Sequence, residues 1–385
     1  MSLEFLSPIA ETVIDHVNNL HPQTLGKTIR LHSQAAGMPD LDQVKIAIIS
    51  VEETRNAGDS VDATFHPDTV RKAFYELFSG NWNQRIADLG NLSQGAQVTD
   101  TYYALKEVVA TLVKQGIVPI VIGGSQDLTY AMYRAYDHLE QMVNLVAIDH
   151  SFDLATSDIG ITAESYLNNI ILDEPNNLHS FTNIGYQSYY NSQEGLDLMQ
   201  KLFFDVCRLG DVFRDVTIVE PLLRNADVVS LDVQSIQGND LGSYDFVKPN
   251  GLNSREICAV ARYAGISDKV SSFGIFNGVA SVLGSELLAQ IVWYFIEGVH
   301  SRFYEYPFTS KEQYTKYNVP MQDEDMVFYK SNKSGRWWVA VSFFQNFNNN
   351  VTTEALLPCT NQDYLDACNQ IMPERWWKAY QKNMN

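Results

Sequence analysis

Runs of β-branched and apolar residues, hydrophobic on both faces, recur along this chain with helical patterns between them. VKIAIISVEE (44–53), RIADLGNL (85–92), IVPIVIGG (117–124) and NLVAIDH (144–150) are the clearest, and further strands are expected at 181–185, 216–219, 227–233 and 271–276. Helical patterns fit 98–115, a segment from 127, and 193–209, 253–264 and 282–299; another starts at Asp68 with Val70, Ala73, Phe74 and Leu77 on one face. A strand that is apolar on both sides must be covered on both sides, and crossover helices between parallel strands supply that cover. The expected fold class is therefore α/β: three α/β/α layers around a mainly parallel sheet. Ligands of such sheets bind beyond the carboxyl ends of the strands, which fixes where to look for chemistry.

The chain has 385 residues, 27 Lys plus Arg and 46 Asp plus Glu, a formal net charge of −19. A surface of that sign repels phosphate backbones and anionic lipid, so neither a nucleic-acid nor a membrane partner is expected. No apolar run reaches the ~18 residues of a membrane span, and the start lacks the basic n-region of a signal peptide. Cys207, Cys258, Cys359 and Cys368 are scattered without zinc-like spacing, as in a reduced, cytoplasmic protein.

Three strands end in related polar groups: Gly123-Gly124-Ser125-Gln126-Asp127, Asp149-His150-Ser151-Phe152-Asp153 and Ser230-Leu231-Asp232-Val233-Gln234. Carboxylates just past adjacent parallel strands can converge on one cation, which offsets the cost of gathering like charges.

In these motifs, their order and their spacing, residues 44–299 resemble the ureohydrolase superfamily of arginase, agmatinase and formimidoylglutamase. Flanking pieces agree: HPDTVRKA, ADLGN, GLNSREICAVAR and FGIFNG. The resemblance implies an arginase-like fold, a homo-oligomer, and ancestral hydrolysis of a linear C–N bond in a guanidino or formimino compound. The family's strand ends read Gly-Gly-x-His, Asp-Ala-His-x-Asp and Ser-x-Asp-x-Asp and hold two manganese ions. Here Gln126, Ser151 and Gln234 stand where a His, a His and an Asp are expected, while Asp149, Asp153 and Asp232 are kept. The losses fall mainly on one metal. Gln126, Asp149, Asp153 and Asp232 remain as a possible single site for manganese, magnesium or calcium, an all-oxygen set; a two-manganese cluster is not expected. Ile275 replaces the Glu that meets the substrate's cationic group, so its charge-assisted partner is lost.

The resulting expectation is a degenerate family member with little or no classical activity, retaining a small-molecule or one-cation site. An active one-metal hydrolase and a non-catalytic scaffold stay open beside it. His150 neighbours a lost ligand position; on an extended segment its side chain faces away, so a backbone hydrogen bond is the expectation for it. Gly123-Gly124 reads as a tight turn and Ser125 as no nucleophile, the Gly-x-Ser-x-Gly elbow being absent. Residues 1–43 read as a helical lead, and 300–385 as an aromatic-rich extension packed on the domain or a neighbouring subunit. It carries Arg336-Trp337-Trp338, Arg375-Trp376-Trp377 and an Asn348–Asn350 run.

Overall fold

In the computed structural model, residues 2–384 are described apart from 59–61, 63, 140, 157–159, 306, 308–309, 322–324 and 346–350, so the Asn348–Asn350 run lies outside the described residues. Ten strands build the main sheet: β1 (Leu6–Ser7), β2 (Arg30–Leu31), β3 (Ile46–Val51), β4 (Ile86–Leu92), β5 (Val118–Ile122), β6 (Val143–Ile148), β7 (Leu178–Tyr186), β8 (Asp205–Arg208), β9 (Val228–Asp232) and β10 (Ser272–Phe276). Their order is β1-β4-β3-β5-β10-β9-β6-β7-β8, with β2 also on β4. Every pairing is parallel except β1 on β4.

Side-chain alternation divides each strand between two helical layers. Ile46 and Ile48 of β3 join the cluster under helices Pro67–Glu76, Ser254–Ile266 and Val282–His300. Ala47, Ile49 and Val51 face the opposite cluster, covered by helices Val98–Lys114, Leu128–Arg134 and Tyr166–Leu172. The fold is thus the expected three-layer α/β/α arrangement. Ser254–Ile266 starts with a reciprocal cap: Asn253 Oδ1 accepts from Glu256 N and Glu256 Oε2 accepts from Asn253 N, both at 3.0 Å. The same helix meets Val282–His300 at Gly265 and Gly298, where a Cβ on Gly265 would lie 2.1 Å from the Phe295 carbonyl oxygen. Val282–His300 is long and apolar enough to cross a membrane, but most of it is buried in this core, which accounts for its composition.

Three expectations need correction. The 1–43 lead is helical at a 3-10 turn, Ser2–Phe5, and at Glu11–Asn18 and Leu25–Thr28, and it also contributes β1 and β2 to the sheet. The helix expected over 193–209 stops at Lys201; Phe203 takes a left-handed φ of 56°, and β8 follows to pair with β7. Residues 216–219 form helical turns rather than a strand: Asp215 caps Thr217 N, and Pro221 is tolerated in the first turn of Val219–Leu223.

The C-terminal segment has its own antiparallel sheet, β11 (Tyr314–Val319), β12 (Met326–Ser331), β13 (Trp337–Gln345) and β14 (Val351–Cys359), followed by helices Asn361–Cys368 and Glu374–Met384. Both Arg-Trp-Trp triplets join it to the main domain. Arg224 lies 4.7 Å over the Trp338 ring and donates to the Trp337 carbonyl oxygen, Arg336 pairs with Glu220 at 3.2 Å, and Arg375 pairs with Asp205 at 3.2 Å. Trp376 is buried and donates from Nε1 to Ala340 O, whereas Trp377 stays exposed.

Candidate functional site

Sheet order sets the site. Strands β5, β10, β9 and β6 are neighbours, so the loops leaving their carboxyl ends meet. Asp232 ends β9, Asp149 follows β6, Asn277 follows β10 and Gln126 lies in the turn after β5, all buried. That turn needs glycine. Gly123 and Gly124 have φ of 92° and 78°, and a Cβ on Gly124 would sit 2.3 Å from Leu128 Cδ1 and 2.8 Å from Glu53 O. Ser125 is buried outside the site, its hydroxyl donating to Asp127 and to Glu53 O.

The segment after Asp149 does not continue the strand. Asp149 Oδ1 accepts from Ser151 N at 3.0 Å, an Asx turn, and Asp153 takes a left-handed φ of 53°. Asn183 donates to Ser151 O, Asn191 donates to His150 O, and Asn191 Oδ1 accepts from Phe152 N. Because the chain turns here, strand alternation does not govern His150. Its Nδ1 lies 3.0 Å from Asp149 Oδ1 without hydrogen-bond alignment, and it can join Asp149 and Asp232 in presenting ligand atoms within 4.8 Å of one another. Among the described residues its Nδ1 does not make the expected backbone hydrogen bond, and its ring stands edge-on to Tyr190 at 5.1 Å.

Burial dominates the electrostatics. It pushes the Asp149 carboxyl well above its ordinary range, with Asp232 adding to the effect, and does the same to Asp153, which sits against Asp149. Asp232 is pushed up to about 6, again by burial, although the His150 imidazole and the Gln234 amide N–H oppose this. Burial lowers the His150 imidazole. Tyr166, buried against the Gln126 amide and the same three carboxyls, is raised well above the ordinary phenol value.

The donor atoms allow a test of which metals the residues fit. Gln126 Oε1 and His150 Nδ1 are buried with no hydrogen-bond partner, while the raised carboxyls of Asp149 and Asp153 face each other as a hydrogen-bonded pair. Unpaired buried polar atoms of this kind are costly, and a cation would satisfy them. Among the described residues, Asp149, His150 and Asp232 have the spacing that one divalent ion needs; Asp153 is not in that group. The second position differs, because Ser151 Oγ donates to Asp153 Oδ1 at 2.8 Å and Gln234 carries no charge. Ser151 and Gln234 line the adjoining cavity of about 420 Å³ beside Asp153, Asp232, Tyr190 and Lys248. Ile275 is buried in the core within β10, paired with Ile122 and Leu231, and presents no polar atom.

Several contributors escaped sequence reasoning. Tyr166, Tyr190 and Lys248 sit on loops and helices without a motif, and Asn183 is an inward polar residue within a strand. Asn277 was legible in FGIFNG as a strand end: its φ is 56°, its Oδ1 accepts from Gln126 N at 3.1 Å, and its side chain bonds Asp232.

A parallel α/β/α sheet with carboxylates past neighbouring strand ends is an architecture that several classes of α/β enzyme share. The arginase family model matches residues 44–276, more than half the chain, and the chain belongs to the arginase family. A curated formimidoylglutamase of Staphylococcus epidermidis is 28% identical over 120 residues, covering 30% of this chain and only 38% of its own length. Trypanosoma cruzi formiminoglutamase, solved with Mn2+2, superposes with a TM-score of 0.61 at 16% identity, over 68% of this chain and 96% of its own. The agmatine ureohydrolase of Thermoplasma volcanium gives 0.60 at 18% identity, over 76% and 98%.

Proposed function

We propose that this protein is a degenerate ureohydrolase that holds one divalent cation at Asp149, Asp153, Asp232 and Gln126, with His150 as an added donor. In this reading it has lost the paired-manganese chemistry that hydrolyses a guanidino or formimino C–N bond. The carrying observation is the unpartnered, buried Gln126 Oε1 and His150 Nδ1 on one side of the site, set against the neutral Ser151 and Gln234 on the other. A single divalent cation would offset two of the three carboxylate charges and polarise a bound ligand, while a bridging hydroxide requires the pair. Loss of the acid at Ile275 supports the same reading, since a cationic substrate group would find no counter-charge there. The protein acts in the cytoplasm as a homo-oligomer in this account, and size measurement in solution checks the latter.

The test is metal analysis of purified protein together with manganese-supplemented assays on arginine, agmatine and formiminoglutamate. At most one equivalent of metal per chain and no robust turnover are expected; two equivalents, or turnover typical of the family, would overturn the proposal. One observation favours a second reading, an active one-metal hydrolase: His150 joins Asp149 and Asp232 beside an open cavity. Stoichiometric single-metal content with activity abolished by Asp232→Ala would select it.

A further inference from the structure

A separate cavity of about 300 Å³ lies at the opposite end of the sheet, between the main domain and the C-terminal segment. Its floor comes from the amino-terminal parts of β6 and β7, including Asn144 and His179, and its roof from β13, β14 and the last helix. The chain as a whole is strongly acidic. The cavity reverses that balance: Lys269, Arg375, Lys378 and Lys382 line it against Asp205 as the acidic lining residue.

We propose that this cavity binds a small molecule bearing a phosphate or diphosphate group. Three ammonium groups, of Lys269, Lys378 and Lys382, and the Arg375 guanidinium surround the space. Arg375 is held by Asp205 at 3.2 Å and by donation to Pro358 O at 2.8 Å, and Lys382 donates to His179 O. The partner of Lys378, Glu374, is largely exposed at 79%, so that pair holds the lysine weakly and leaves it free to turn to a bound anion. Ammonium groups suit a phosphoryl group as point charges and guanidinium as a fork, and each such bond is charge-assisted. Leu222, Val341 and Leu356 supply an apolar wall for the carbon part of an ester, and the volume is at the lower end of small-molecule sites. Burial lowers Lys382, which Asp205 opposes, and burial with the Lys382 and Lys269 charges lowers His179; a bound polyanion would favour the charged form of each.

The experiment is calorimetric titration of the full chain with inorganic pyrophosphate at fixed ionic strength. Binding with Kd near or below about 1 mM is expected, weakened at least about tenfold by the Lys378→Gln/Lys382→Gln pair and unchanged by Lys316→Gln on β11, outside the cavity. Lys269→Gln, on the opposite wall, should weaken it independently, which guards against a local packing defect in the last helix. Kd above about 10 mM, or equal loss in Lys316→Gln, would overturn the assignment.

Discussion

Replacing Asp232 by Asn separates the charge of the strand-end site from its shape. The Asp232 carboxyl, ordinarily near 3.8, is pushed up to about 6 in the folded chain, chiefly by burial. A carboxyl whose pKa is higher folded than unfolded favours folding most fully below its unfolded value. That contribution is lost as pH rises through the folded value. Two pKa units at 1.36 kcal/mol each make the ionised group cost up to about 3 kcal/mol above pH 6 when no cation is present. Asparagine keeps the oxygen that accepts from Gln234 N at 2.7 Å and carries no charge. In chelator near pH ~7.5, Asp232→Asn should therefore be more stable than the parent by up to about 3 kcal/mol in urea unfolding, and the gap should close below pH ~4. Manganese should narrow that gap: at a hundredfold excess over Kd it adds about 2.7 kcal/mol to the parent and less to a variant lacking a ligand. A variant that is less stable than the parent in chelator at every pH, or equal manganese stabilisation of both, would refute this reasoning.

Trp338→Ala empties a fully buried site under Arg224 and should cost about 3–5 kcal/mol, read as a lower urea midpoint and earlier proteolysis of the C-terminal segment. Gly265→Ala drives a methyl to 2.1 Å from Phe295 O and should destabilise by at least about 1–3 kcal/mol, with the unfolding transition moved accordingly. Burial pushes the Cys207 thiol up to about 12, Cys258 up to about 11, and Cys359 still higher, so a thiol reagent should label exposed Cys368 quickly and those three only in denaturant.

The sheet was readable because β3, β5, β9 and β10 are buried along their whole length, and only two-sided apolar runs permit that. The nearness of Asp149 and Asp232 followed from the same pattern, since neighbouring strand ends fix their loops. His150 was misjudged because its orientation depends on an Asx turn and on Asn183 and Asn191, which lie more than thirty residues away in sequence. The lead failed for a different reason: its short apolar stretches serve two-residue strands at a sheet edge as well as helices. The antiparallel meander of β11 to β14 left a signal that composition obscured, namely the SNKSG turn between two β-rich runs, where Ser331 O accepts from Gly335 N at 3.1 Å.

Counting the ions at the strand ends decides between one cation and two. Crystals grown with excess manganese and measured at the metal edge should show one anomalous peak among Asp149, Asp232 and His150. Two peaks about 3.5–4 Å apart, as a two-metal centre requires, would contradict it.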